Sequence, residues 1–227
     1  MPRTLNVEVH RVRRAAFLDA AQQLIETKGY EEMAIQDVLD QLEASKGAFY
    51  HYFDSKEALL DAVVDRFAEA GMAAVAPILN DPDLPALRKL ESFFRGIASF
   101  KAEQKELVLA VMEVWLSDGN ALLREKLRRL SGRLLRPVLT EVIQQGVDEG
   151  AVTVSSPTQA ARIIVSLIQG DQDLAGELLL GRRAGTVSFE LVAQTFAASA
   201  EVFERILGVP HGSITVMDKK TLHFWFG

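Results

Sequence analysis

Hydrophobic positions recur along this chain at spacings of three and four residues and almost no stretch alternates, so the pattern predicts helix nearly throughout. In the first helix Phe17, Ala20, Ala21, Leu24 and Ile25 share a face, Lys28 stands in the last turn, and Gly29 ends it. A short helix over 33–42 turns Ile35, Val38, Leu39 and Leu42 inward. Ser45 caps the next, whose apolar side is Phe49, Tyr52 and Phe53. Ser55 alone, or Asp54 with Glu57 three residues later, caps a fourth over 56–79. Asn80-Asp81-Pro82-Asp83 then interrupts the pattern. Longer helices follow over 85–101, 104–117 and 121–149, the last stopped by Gly150. Ser156-Pro157 opens one over 157–180, and Ser188 opens one that runs to about residue 207. That makes nine helices, with no repeat of 20–50 residues that would signal a solenoid. The chain end reads differently. Ile214 and Val216 alternate, as do Leu222, Phe224 and Phe226, so residues 209–227 are expected to form a small hairpin or a disordered tail.

Composition narrows the class. The chain has 227 residues, 48% of them hydrophobic and 25% charged, with only 7 Pro, which excludes collagen-like, low-complexity and disordered polymers. With no cysteine there are no disulfides, thiolate zinc sites, iron–sulfur ligands or cysteine nucleophiles, and a reducing cytoplasm fits best. No apolar block suits a signal peptide or a membrane span, so neither secretion nor membrane insertion is expected. The four histidines, His10, His51, His211 and His223, stand at no metal or triad spacing, and no phosphate loop, dinucleotide fingerprint or nucleophile elbow occurs. Catalysis, metals and cofactors are therefore not expected. The net charge of −6 argues mildly against a nucleic-acid partner, but its distribution matters more. Arg3, Arg11, Arg13 and Arg14 face only Glu8 in the first 14 residues, whereas 15–56 is acidic, so phosphate contacts must come from a few placed cations.

Residues 33–53 concentrate the chemistry. Two short helices, an abrupt turn at Glu43-Ala44 and a cap at Ser45 have helix-turn-helix spacing. A helix meant for the major groove keeps one side for its own core and gives the other to DNA. Here Phe49 and Phe53 point in, while Lys46, Gly47, Tyr50 and His51 are left outside. Gly47 lets backbone approach the groove, and Tyr50 carries a phenol at the radius of a phosphate oxygen. The segment resembles the tetracycline-repressor family of one-component bacterial regulators. The resemblance runs from Phe17 to Leu60, through Gly29-Tyr30, Ile35-x-Asp37-Val38, Ser45-Lys46-Gly47-Ala48-Phe49-Tyr50-His51-Tyr52-Phe53 and Ser55-Lys56-Glu57-Ala58-Leu59-Leu60. It implies that Ser45, Lys46, Gly47, Ala48, Tyr50 and His51 lie in or beside the major groove. It also implies Gln36 and Lys56 near phosphates, with Arg11, Arg13 or Arg14 as further contacts. Leu39, where the family has a small residue, and Glu43, where it has a glycine, depart from the pattern and leave the angle between the second and third helices open.

The expected architecture is all-α. A helix-turn-helix DNA-binding unit over 1–55 is joined by the helix 56–79 to a helical ligand-binding and dimerisation domain over 80–208. The family layout implies a pocket for a small apolar or amphipathic ligand, with Phe93, Phe94, Leu107, Val111, Met112, Trp115 and Ile168 as lining candidates; most of these read equally well as core. Asp171 is less usual in its apolar setting. Facing a cavity it would favour a cationic ligand, and the alternative is a solvent-facing turn opened by Gly170 and Gly176. The run Arg124, Lys126, Arg128, Arg129, Arg133 and Arg136 alternates with leucines and reads as the solvated side of a long amphipathic helix, which Pro137 should kink. Phe189, Val192, Ala193, Phe196, Ala200 and Phe203 make a stripe expected at a homodimer interface, where two recognition helices would read a palindromic operator. The leading expectation is a repressor released by a small ligand. The alternatives are a DNA-binding factor without an inducer and a helical protein-interaction module.

Overall fold

The computed structural model describes residues 2–116 and 121–227, with side chains over 7–114 and 124–227. Every regular element among the described residues is a helix: α1 (Pro2–Lys28), α2 (Ile35–Gln41), α3 (Lys46–Tyr50), α4 (Lys56–Leu79), α5 (Ala86–Glu103), α6 (Lys105–Leu116), α7 (Ala121–Asp148), α8 (Pro157–Arg183), α9 (Phe189–Leu207) and α10 (Lys219–Phe226). The predicted caps hold. Ser45, Ser156 and Ser188 accept hydrogen bonds from the N–H groups of Ala48, Gln159 and Leu191, and Ser55 accepts from Ala58. Gly29 ends α1 at φ +82°, a left-handed turn that costs glycine no Cβ clash. Pro137 sits exposed within α7, which continues through it as one helix.

The chain forms two compact units. The first comprises Met1–Phe67 and Gln104–Arg124, so α6 is grouped with α1, α2 and α3; Gln22 Nε2 donates to Gln104 Oε1 at 3.3 Å. Phe17, Ile25, Met33, Val38, Phe49, Leu59, Leu107 and Val114 are buried in it. The second unit comprises Ala68–Glu103 and Glu125–Gly227. Its core draws Val75, Leu90, Phe93, Leu139, Ile143, Ile164, Val165, Phe203 and Leu207 into one cluster.

One expectation is corrected here. The tail is neither hairpin nor disordered: Asp218 Oδ1 accepts from Thr221 N–H at 2.7 Å and starts α10, which buries Leu222 and Phe226 against α8 and α9. Its carbonyl end is held by Arg182, whose guanidinium donates to Phe226 O at 2.8 Å and to Val187 O at 3.0 Å. The segment before it is fixed by Glu204, a buried carboxylate that accepts from Ile214 N–H at 2.9 Å and lies 3.2 Å from His211 Nδ1. The stripe on α9 is partly covered within the chain. Val192, Phe196 and Phe203 are 0%, 6% and 2% exposed within a single chain, because α8, α10 and the core already cover them. Phe189 stacks on His223 at 4.3 Å, and Ala193 and Ala200 are half-buried.

Candidate nucleic-acid interface

The arrangement is built from α1, α2 and α3. Phe17 of α1 meets Phe49, Tyr52 and Phe53 at ring-centroid distances of 5.9, 5.6 and 6.2 Å, and Phe49 and Phe53 are buried. These rings fix the inner side of α3. Asp37 fixes the start of α2: its carboxylate accepts the Ala34 N–H at 2.8 Å and pairs with Lys28 Nζ at 2.9 Å, and the two together hold its pKa below the usual carboxylate range. The turn between α2 and α3 passes through Glu43 at φ +49°, a left-handed conformation seldom taken by a residue with a Cβ. The departure from glycine noted in the sequence is therefore accommodated by strain at that residue, and the backbone still makes the turn; Ala44 N–H donates to Leu39 O at 2.9 Å.

What remains outside is a compact polar surface. Ser45, Lys46, Gly47, Tyr50 and His51 are exposed and Ala48 is half-buried, so one short element presents every residue that the resemblance implied for the groove. Tyr50 is 54% exposed, its ring standing edge-on to Phe49 at 5.3 Å. The surrounding candidates differ in how committed they are. Gln36 is exposed and donates to Asp40 at 2.7 Å. Arg11 is paired with Glu8 at 2.6 Å, Arg13 lines a shallow groove with Glu8, Val9, Val12 and Ala16, and Arg14 lies 5.2 Å above the Phe53 ring. Lys56 is turned away to Tyr30, with Nζ 4.3 Å above the ring and 3.1 Å from Glu31 O.

The ligand candidates are divided between the units. Leu107, Val111 and Met112 belong to the first; Phe93, Phe94, Ile168 and Asp171 belong to the second. Phe93 and Leu107 are buried, and Phe93, Phe94 and Ile168 pack within the core cluster of the second unit. The Trp115 side chain lies outside the described residues. Asp171 is not in a turn, since α8 continues through Gly170 and Gly176. It is half-buried and accepts from Ser199 Oγ at 3.0 Å; burial lifts its carboxyl above the usual range, against the lowering effect of that hydrogen bond. Sequence reasoning did not single out this α8–α9 pair, nor the contact of His10 with His51 and Tyr52, because each joins residues distant in the chain.

Comparison with known proteins matches residues 17–63 to the family of bacterial regulatory proteins described as the tetR family. That segment belongs to the tetR family. Among the proteins the chain resembles, EthR, an HTH-type transcriptional regulator of Mycolicibacterium smegmatis, is 32% identical over 134 residues, which span 52% of this chain and 62% of that protein. DhaR, an HTH-type transcriptional repressor of Mycobacterium sp. (strain GP1), is 25% identical over 158 residues, 69% of this chain and 79% of DhaR. The crystal structure of RolR in complex with resorcinol shares the fold at a TM-score of 0.62 and 17% identity, over 96% of this chain and 95% of that one. These relatives are named as transcriptional regulators and repressors, and DNA-binding regulation is the role that the similarity supports. No helix among the described residues is long and apolar enough to cross a membrane.

Proposed function

We propose that this protein is a cytoplasmic repressor that binds a palindromic operator as a homodimer and is released by a small molecule held in its second unit. The observation that carries the DNA reading is the sorting on α3: Phe49 is wholly buried, while Lys46, Gly47, Tyr50 and His51 all face outward behind the Ser45 cap. Lys46 and Tyr50 would hold phosphate oxygens, and Gly47 and Ala48 would let the backbone come close. The cations Arg11, Arg13 and Arg14 flank this surface on α1, and Gln36 lies on α2.

Dimerisation is assigned to the outer side of the α8–α9 hairpin, opposite the stripe that the core absorbs. Ile163, Leu180, Leu191 and Val202 are 52%, 43%, 48% and 42% exposed there. For the ligand, the half-buried Asp171 beside Ser199 supplies a polar anchor among apolar neighbours, suited to a cationic or hydrogen-bonding group. RolR was crystallised with resorcinol, which is consistent with a small ligand in a fold of this kind. Ligand and operator would then oppose each other by the same factor in both directions.

Fluorescence anisotropy with DNA flanking the protein's own gene, against scrambled DNA and at two salt concentrations, tests the reading. Specific binding is expected, and Lys46→Ala should weaken it on all sequences while reducing the salt slope by about 1, as loss of one phosphate contact does. Equal binding by wild type and Lys46→Ala would remove the groove assignment.

A further inference from the structure

The family match begins at Phe17, yet α1 begins at Pro2, and the preceding turns are tied to the recognition element. Counting back along the inner stripe of α1 from Ala21, the same side of the helix carries Phe17, Arg14 and His10, at steps of four, three and four. Each of the three meets the segment 49–53. Phe17 touches Phe49, Tyr52 and Phe53; Arg14 lies over Phe53; the His10 ring is 4.6 Å from Tyr52 and 5.5 Å from His51, edge-on at 76°. On the neighbouring sides of the same turns Val7, Val9 and Val12 are 65%, 56% and 55% exposed. The inner stripe thus continues beyond the core with an imidazole in place of an apolar side chain, and that imidazole ends against His51, the residue that caps the C-terminal end of α3.

We propose that His10 is a positioning residue for DNA recognition: by packing edge-on against His51 it selects the rotamer in which the His51 imidazole faces the groove. This rests on the reading of α3 as the DNA-binding element. His51 is exposed, and α3 is only five residues long, so little else orders its ring; Tyr52 at 5.0 Å and His10 at 5.5 Å, themselves 4.6 Å apart, are the rings it meets among the described residues. The role differs from that of the arginines beside it. Arg11, Arg13 and Arg14 would act on phosphate through charge, whereas His10 acts through the shape of its ring.

The test uses the full chain and a duplex that the wild-type protein selects from a random-sequence pool. His10→Ala is expected to weaken binding by roughly 2- to 12-fold, the worth of one aromatic edge contact, with an unchanged salt slope. His10→Phe, which keeps an aromatic ring and removes the ring nitrogens, should restore wild-type affinity. In a His51→Ala background, His10→Ala should then cost nothing more. Wild-type affinity in His10→Ala overturns the proposal. So does a weakening that comes with a smaller salt slope and is not restored by Phe, because His10 would then itself hold a phosphate. Tyr50→Ala separates the two levels of failure: if it lowers binding while His10→Ala does not, only the role of His10 falls. If no duplex is selected, or Tyr50→Ala binds as well as wild type, the DNA assignment of α3 falls and takes this proposal with it.

Discussion

At the scale of single residues, Glu43 and Glu204 carry opposite kinds of tension. Glu43 holds a left-handed backbone conformation in the helix-turn-helix turn without the freedom of glycine. Glu43→Gly removes the Cβ penalty but adds entropy to the unfolded chain, so a net gain of about 0.5–1 kcal/mol is expected, read as a higher denaturation midpoint. The same change removes a negative charge next to the proposed groove face, and operator affinity should rise with it. Glu204 is buried, which by itself would push its pKa up; the N–H groups of Ile214 and Gly212 and the neighbouring His211 outweigh this and hold it below its usual 4.5. A carboxyl whose folded pKa is depressed contributes stability that is complete above its unfolded pKa and is lost as pH falls through the folded one. The loop from residue 209 to 217 should therefore stay docked at neutral pH and loosen on acidification below about pH 4. Hydrogen exchange at the Ile214 amide as a function of pH would show it, and Glu204→Gln should flatten that profile.

At the scale of elements, α10 shows how much a short helix owes to its neighbours. Its eight residues are too few to persist alone, and what holds them is Asp218 at one end, Arg182 at the other, and Leu222 and Phe226 beneath. Phe226→Ala should cost up to about 3 kcal/mol; the loss is capped at the free energy of releasing α10 alone, so exchange protection in 219–226 falls before the global melt moves. This helix also marks the limit of what could be read in advance. Serine caps and the Gly29 stop are local chemistry, written within four residues, and were legible at Ser45, Ser156 and Ser188. Leu222, Phe224 and Phe226 alternate like a strand, but Leu222 and Phe226 are also four apart, and only the Asp218 cap and the α8–α9 surface below decide between the two periods. The α9 stripe was open to two readings for the same reason. Val192, Phe196 and Phe203 are visibly one apolar side, but which partner covers it is a fact about residues far along the chain. On α3, where the partner Phe17 belongs to the same motif, inside and outside were separable from the sequence.

For the whole molecule, the corrected geometry makes the assembly testable with two neighbouring substitutions. Leu191 is exposed and Val192 is fully buried. Leu191→Glu should leave the fold intact and shift the protein towards monomer in sedimentation velocity, weakening operator binding because two coupled half-site contacts become one. Val192→Glu should instead unfold the second unit, since a carboxylate would be placed in the core without a partner. A Leu191→Glu protein that remains dimeric would move the interface away from the outer side of α8 and α9.

The brevity of α3 has a consequence for how such proteins diversify. Of its five residues Phe49 is the one that is fully buried, and the residues capping and flanking the helix on the outer side contribute little to the packing of the first unit. Lys46, Gly47, Tyr50 and His51 can therefore be exchanged with almost no penalty to folding, while the aromatic ladder under them keeps the exchanged set in the same place. On the proposed reading, a gene copy that varies these positions changes how tightly and in what geometry it meets DNA, and an engineer could vary the same four in a library without first stabilising the scaffold.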